Sequence, residues 1–144
     1  MRVSDTMSRD VQVARPEDTI ARAAEIMVTH DAGVLPVGDG ERLVGMITDR
    51  DIAVRAVAAG KGPETPVREV MSRDVKYCFE DQELEVVARN MGEVQLRRLP
   101  VVDRAKRLVG IVSIGDVAAV CPGKAAARAL MGVTRPGGLH NQTR

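Results

Sequence analysis

The sequence predicts an α+β fold built from two copies of one β-α-β-β-α unit. Three observations predict it. VSDTMSRDV (3–11) returns as VREVMSRDV (67–75), LPV (35–37) as LPV (99–101), and RLVGMITDRDIA (42–53) as RLVGIVSIGDVA (107–118). The order is constant and the register shifts only once, by an extra residue near Ala105, as a tandem duplication requires. Within each copy, apolar residues recur at helical spacing once and as short buried runs twice. Neither half is expected to bury its apolar face alone, so the copies should pack around a pseudo-two-fold axis. The expected organisation is repeat 1 over 1–60, a linker at 61–66, repeat 2 over 67–121, and a C-terminal helix and tail over 122–144.

Each unit opens with a short helical turn, Ser4–Met7 or Val67–Met71. A short strand follows around Val11–Ala14 or Val75–Cys78. PEDT (16–19) then starts a helix: Pro16 sets the entry and Asp18 can cap free N–H groups. Ile20, Ala23, Ala24 and Met27 share one helical face, as do Leu84, Val87, Ala88 and Met91, so both faces should turn to the core. VLPV (34–37) and RLPVV (98–102) read as buried strands. The turns GDGER and DRAKR lead into a third strand, LVGMIT or LVGIVS, and a helix follows at once, DIAVRAVAA (51–59) or DVAAV (116–120). AAGKGPETP (58–66), with two Gly and two Pro, reads as the hinge between copies. After CPG, KAAARALM (124–131) makes one more helix, and the polar, Gly/Pro-rich residues 133–144 should form a mobile tail.

Composition narrows the function. Lys and Arg number 21 against 20 Asp and Glu, so no net field draws in nucleic acid or an anionic membrane. The chain has one Tyr and one Phe, too few to stack bases. No apolar run approaches the roughly 20 residues that cross a bilayer, and no signal segment is seen, so a cytoplasmic protein is expected. Cys78 and Cys121 have no zinc or redox spacing and read as buried or incidental thiols; with His30 and His140 equally dispersed, no metal site is expected. His30 reads as a group at a helix C-terminus. No nucleophile–base pair and no separated acid–base carboxylates stand out, so the chain reads as non-catalytic.

The repeated GMITDRD (45–51) and GIVSIGD (110–116) each end a strand with a hydroxyl residue and place an Asp three positions on. One reading is a capping box, in which Thr48 and Asp51, or Ser113 and Asp116, satisfy free groups at a helix start. A second reading is a ligand junction. Free N–H groups and the helix dipole favour an anion there, and an Asp in the first helical turn can accept from a ribose diol.

The ordered set of motifs over roughly residues 1–120 resembles the cystathionine-β-synthase (CBS) domain, and two in tandem resemble a CBS pair, or Bateman module, of the stand-alone bacterial kind. The resemblance implies clefts between the repeats for adenosyl ligands, with AMP, ATP or NAD foremost and ADP, NADH and S-adenosylmethionine beside them. No cofactor is required. The resemblance assigns Asp51 and Asp116 to the ribose and Thr48 and Ser113 to the ribose or phosphate. It has Val34, Leu35, Pro36, Leu99 and Pro100 line the clefts, and Val11, Val13, Met46 and Ile111 sandwich the base. A phosphate needs cations, for which Arg50, Arg97 and Arg98 are the candidates. The copies differ, with AGV before one LPV and QLRR before the other, so unequal affinity is expected. The implied function is a regulatory sensor that forms a homodimer through its small-residue helices, 53–59 and 116–120, and signals to an unidentified protein. The alternative is a ligand-free interaction homodimer in a stress response, its junctions kept only as caps.

Overall fold

The computed structural model describes residues 1–120 and 123–134. It divides into two compact units. The first-repeat unit holds Gln12–Val75 with Lys106–Leu108; the second-repeat unit holds Met1–Val11, Lys76–Ala105 and the described residues from Val109 on.

In the first-repeat unit, α1 (Ile20–His30) is followed by β1 (Val34–Asp39), β2 (Arg42–Thr48), a single α-helical turn α2 (Asp49–Asp51) and a π-helical segment, Ile52–Val57. β1 and β2 pair antiparallel, with Val34 opposite Thr48 and Pro36 opposite Met46. In the second-repeat unit, β3 (Cys78–Phe79), α3 (Leu84–Val94), β4 (Arg98–Val102), β5 (Leu108–Ser113), α4 (Ile114–Val120) and α5 (Gly123–Thr134) follow in order, and the sheet runs β3-β4-β5. β3 lies parallel to β4.

Each unit has its own core of small aliphatic side chains. Ile20, Ala23, Ile26, Met27, Leu35, Val37 and Ile47 cluster in one; Leu84, Val87, Ala88, Met91, Leu99, Val101 and Val112 cluster in the other. The helical faces expected from spacing are buried, except that Ile26 takes the core place expected of Ala24, which is only half-buried. Cys78 is buried, and desolvation pushes its thiol up to about 12. Cys121, Pro122 and residues 135–144, with His140 and most of the expected tail, lie outside the described residues.

The opening segment of each repeat packs in the unit of the other repeat. The 3-10 turn Val3–Asp5 lies in the second-repeat unit, where Val3 N donates to Gln82 O (3.0 Å) and Ser4 N to Glu80 O (2.9 Å). The turn Val67–Glu69 lies in the first-repeat unit, where Val67 N donates to Asp18 O (2.7 Å) and Arg68 N to Pro16 O (3.0 Å). Sequence repeats and compact units therefore differ by these two opening segments and by Lys106–Leu108.

The exchange explains the glycine that heads each repeated motif. Ser72 and Met46 exchange two backbone hydrogen bonds, of 2.8 and 3.0 Å, and Ser8 and Ile111 do the same at 2.8 and 2.9 Å. A Cβ on Gly45 would fall 2.7 Å from Met71 Sδ and 2.9 Å from Ser72 O; on Gly110 it would fall 2.7 Å from Met7 Sδ and 2.8 Å from Ser8 O. Only glycine admits the incoming backbone at that distance.

Several expected details are corrected. The strand expected at Val11–Ala14 is a single bridge from Ala14 to Val37, and the strand expected at Val75–Cys78 starts at Cys78. Thr19, not Asp18, caps α1: Thr19 Oγ1 accepts from Arg22 N at 3.1 Å, while Asp18 Oδ2 accepts from Arg15 N at 2.9 Å. The expected hinge is pinned to α1, because Ile20 N donates to Thr65 O (2.9 Å) and Ala21 N to Pro63 O (3.0 Å). These carbonyls satisfy helix-start N–H groups that would otherwise need water. The helix expected at 51–59 winds as a π-helix over most of its length, closed by Ala58 N donating to Ala53 O at 3.0 Å.

Candidate functional site

Both capping boxes form. In the first-repeat unit, Thr48 leaves β2 in an extended conformation, and its Oγ1 accepts from Asp51 N at 3.0 Å. Asp51 Oδ2 in turn accepts from Thr48 N at 3.0 Å. In the second-repeat unit, Ser113 Oγ accepts from Asp116 N at 3.1 Å and Asp116 Oδ2 from Ser113 N at 2.8 Å. The same local chemistry therefore closes both strand–helix junctions, and each contact satisfies an N–H that the helix leaves free.

The capping contacts use one oxygen of each carboxylate. Oδ1 of Asp51 and Oδ1 of Asp116 make no hydrogen bond to the described residues. Both aspartates are half-buried, so the free oxygen is held by a fixed frame and stays within reach of solvent. The two hydroxyls accept from backbone N–H and keep their own protons to give.

The residue before each LPV strand is tied to the same junction. Asp49 N donates to Gly33 O (3.0 Å), and Ile114 N donates to Arg97 O (2.8 Å). The register of β1 and β2 adds Val34 beside Thr48, so the half-buried Val34 and Thr48 border one junction. In the other unit Arg98 opens β4, next to that same Arg97 carbonyl.

Arg50, Arg97 and Arg98 are exposed, and none of the three makes an ion pair among the described residues. Arg50 lies between Asp49 and Asp51 in the chain, while Arg97 and Arg98 stand at the start of β4. The remaining expected residues divide by burial. Leu35 and Leu99 are core side chains, and Pro36 and Pro100 are buried beside them, so these four offer backbone rather than side chain. Met46, Ile111, Val11 and Val13 are half-buried. Val13 and Met46 belong to the first-repeat unit; Val11 and Ile111 belong to the second, where the chain crosses over.

Sequence reasoning passed over a side-chain cluster around β3. The two aromatic rings, Tyr77 and Phe79, meet edge to face at 5.8 Å, and the Arg104 guanidinium stands 4.3 Å over the Phe79 ring. Arg104 also donates twice to Asp81, at 2.7 and 2.8 Å. That hydrogen bonding holds the Asp81 carboxyl below the usual carboxylate range. The alternation Tyr-Cys-Phe was the available signal: in an extended chain the two rings share a face opposite buried Cys78.

His30 ends α1 and is exposed. No group of three or more His, Cys, Asp or Glu is placed to hold a metal ion among the described residues, and no described helix is long and apolar enough to cross a membrane.

Comparison with known proteins bears on these junctions. The CBS domain family model matches twice, at residues 3–57 and 67–123. The chain is 45% identical over 116 residues to the CBS domain-containing protein YhcV of Bacillus subtilis, covering 81% of this chain and 82% of that one. Among solved structures it resembles Hypoxic Response Protein I with two coordinated zinc ions (37% identity, TM-score 0.76, 85% and 100% of the two chains). It also resembles the CBS domain pair of protein MJ0100 in complex with 5'-methylthioadenosine and S-adenosyl-L-methionine (34%, 0.73, 86% and 98%). A further likeness is to CBSX2 in complex with AMP (28%, 0.72, 82% and 93%).

Proposed function

We propose that this chain, which belongs to the CBS-domain family and carries two copies of the domain, is a non-catalytic cytoplasmic sensor of an adenosyl nucleotide. The observation that carries the reading is the duplicated junction: an aspartate fixed by its own cap, with one carboxylate oxygen unused, and exposed arginines on the backbone segments that meet there. A ribose cis-diol donates to Asp51 Oδ1 or Asp116 Oδ1. The Thr48 and Ser113 hydroxyls turn their protons toward a ribose or phosphate oxygen. Val34 and Met46 in one unit, and Ile111 in the other, offer apolar surface to the base, with Val11 and Val13 as the further candidates. Arg50 faces a phosphate at one junction, and Arg97 and Arg98 do so at the other.

The adenosyl ligands bound by MJ0100 and CBSX2 support this choice of ligand class. The unequal arginine count favours unequal affinities, the second-repeat junction preferring the more highly phosphorylated ligand. Signalling needs a ligand that binds two states of the protein unequally, because a ligand with equal affinity for both shifts nothing. The output passes through a homodimer to a regulated protein.

Calorimetry and thermal shift with AMP, ADP, ATP, NAD, NADH and S-adenosylmethionine test the reading, with mass spectrometry of the purified protein for a retained ligand. Binding lost in both Asp51→Ala and Asp116→Ala variants supports it. If no nucleotide in the panel binds or raises the melting temperature, the ligand-free interaction dimer becomes the better reading. That alternative draws on one observation: the capping boxes are complete without a ligand.

A further inference from the structure

The repeat makes the two helical faces comparable residue by residue. In the second-repeat unit, α5 packs across α3 and α4. Its Gly132 lies against Gly92: a Cβ there would fall 2.7 Å from Gly92 Cα. The Gln95 side-chain amide donates to Gly132 O at 3.1 Å. α5 therefore fills the groove of its own unit, and small residues and one amide donor make the fit.

In the first-repeat unit the equivalent groove is open. It has a volume of about 440 Å³ and is lined by Ala24, Met27, Val28, Asp31, Asp49 and Ile52, among others. Val28 stands where Gly92 stands in the other copy, and it is 83% exposed. Asp31 replaces Gln95, and Asp49 replaces Ile114. These three replacements change what the groove accepts. Val28 blocks the close backbone approach that Gly92 permits. A carboxylate at 31 cannot donate to a helix carbonyl as Gln95 does. Two carboxylates on an apolar rim call for a cation flanked by an apolar side chain.

The outward side of α5 has that chemistry. The helix has no acidic residue in its first turn, and its sequence GKAAARALMGVT contains none at all. Arg128 and Met131 are one helical turn apart and so share a face, and both are exposed, Met131 at 71%. An unbranched Met adapts to an irregular apolar groove, and an Arg beside it matches paired carboxylates.

We propose that in the homodimer the outward face of α5 in one copy seats in the first-repeat groove of a second copy, with Met131 against Val28 and Arg128 between Asp31 and Asp49. Each copy offers one helix and one groove, so a two-fold pair makes the contact twice. The proposal rests on the homodimer read above and goes beyond it by placing the contact on α5 and the first-repeat groove rather than on the helices 53–59 and 116–120 expected from the sequence. It also assigns α5 two jobs: its inner side covers the second-repeat face, and its outer side recognises another molecule of the same chain.

Sedimentation velocity on the full chain at micromolar concentration, at low and high salt, tests it. Val28→Glu, Met131→Glu, Arg128→Glu and Asp31→Arg each alter an exposed side chain, and circular dichroism should show an unchanged fold. Each single variant should weaken association by roughly tenfold or more. The pair Arg128→Glu with Asp31→Arg should regain it, and raised salt should weaken the wild-type dimer. A dimer insensitive to all four variants overturns the contact and leaves the homodimer standing. So does a dimer broken by Val28→Glu but untouched by Met131→Glu and Arg128→Glu, since the grooves would then face each other. A monomeric wild type overturns the contact and the homodimer together. Calorimetry with AMP and ATP on the same samples reads nucleotide binding separately, so loss of that reading is not confused with loss of this one.

Discussion

Gly45→Ala probes the exchanged packing most directly. The added methyl meets Met71 Sδ at 2.7 Å and Ser72 O at 2.9 Å. Both lie inside the distance that real Cβ contacts keep, and the second partner is backbone. Met71 can turn its thioether aside, since three rotatable bonds serve it. Ser72 cannot retreat without lengthening the 2.8 and 3.0 Å hydrogen bonds it exchanges with Met46. Overpacking of this kind costs about 1–3 kcal/mol, against a gain of about 0.5–1 kcal/mol for removing a glycine from a strand. A net loss of about 1–2 kcal/mol follows, a fall in melting temperature of roughly 3–8 °C for a chain of this size.

Thermal melts by circular dichroism measure this against Gly115→Ala. That Cβ meets only Ser113 Oγ at 3.5 Å, inside helix α4, so the control should gain stability by up to about 1 kcal/mol. Met71→Ala in the Gly45→Ala background should return part of the clash cost and lose its own packing, giving a coupling that double-mutant analysis isolates. A Gly45→Ala variant as stable as the wild type would show that the Val67–Met71 segment does not pack on β2, and the exchange would fall with it.

Three further predictions follow from single sites. Asp51→Ala should cost about 1 kcal/mol as a lost cap while abolishing nucleotide binding at its junction, so calorimetry and a melt read two separate effects of one change. Cys78 should resist alkylation at neutral pH until denaturant is added. Its folded thiol sits near 12 against an ordinary 9.0, so the unfolded chain loses this proton first on raising the pH. Stability should therefore fall between those two values, and Cys78→Ala should flatten that part of the pH profile. Gly92→Val, which copies Val28 into the second repeat, should expel α5 from its own groove. Hydrogen exchange across α5 should then quicken by roughly tenfold or more while β4 and β5 stay protected.

The two strand–helix junctions were legible before the fold because their chemistry is local. A capping box spans four residues, so TDRD and SIGD announce Thr48 with Asp51 and Ser113 with Asp116, and both boxes form. Helical faces read off with equal ease, since Ile20, Ala23 and Met27 or Leu84, Val87 and Met91 recur at the spacing of one turn. What failed were features on which hydrogen bonds compete, whether from a neighbouring turn or from a distant segment. Thr19 displaced Asp18 as the cap because Asp18 was taken by the Arg15 turn. The Gly/Pro-rich hinge became a fixed segment because its carbonyls meet the free N–H groups of α1. The π-helical winding after Asp51 had no signal in its residues.

The sequence by itself determined the duplication, the α+β class, the two junctions and the pairing of hydroxyl with Asp in each. Those follow from periodicity and from hydrogen bonds that close within a few residues. Only the tertiary structure decided that each repeat lends its opening turn to the other's unit, and so why Gly45 and Gly110 must be glycine. Only it decided that α5 fills one of two related grooves and leaves the other open. The physical reason is the same in both cases. A close backbone approach or an uncovered apolar face depends on which distant segment arrives, and repeated motifs offer each segment two equivalent places to go.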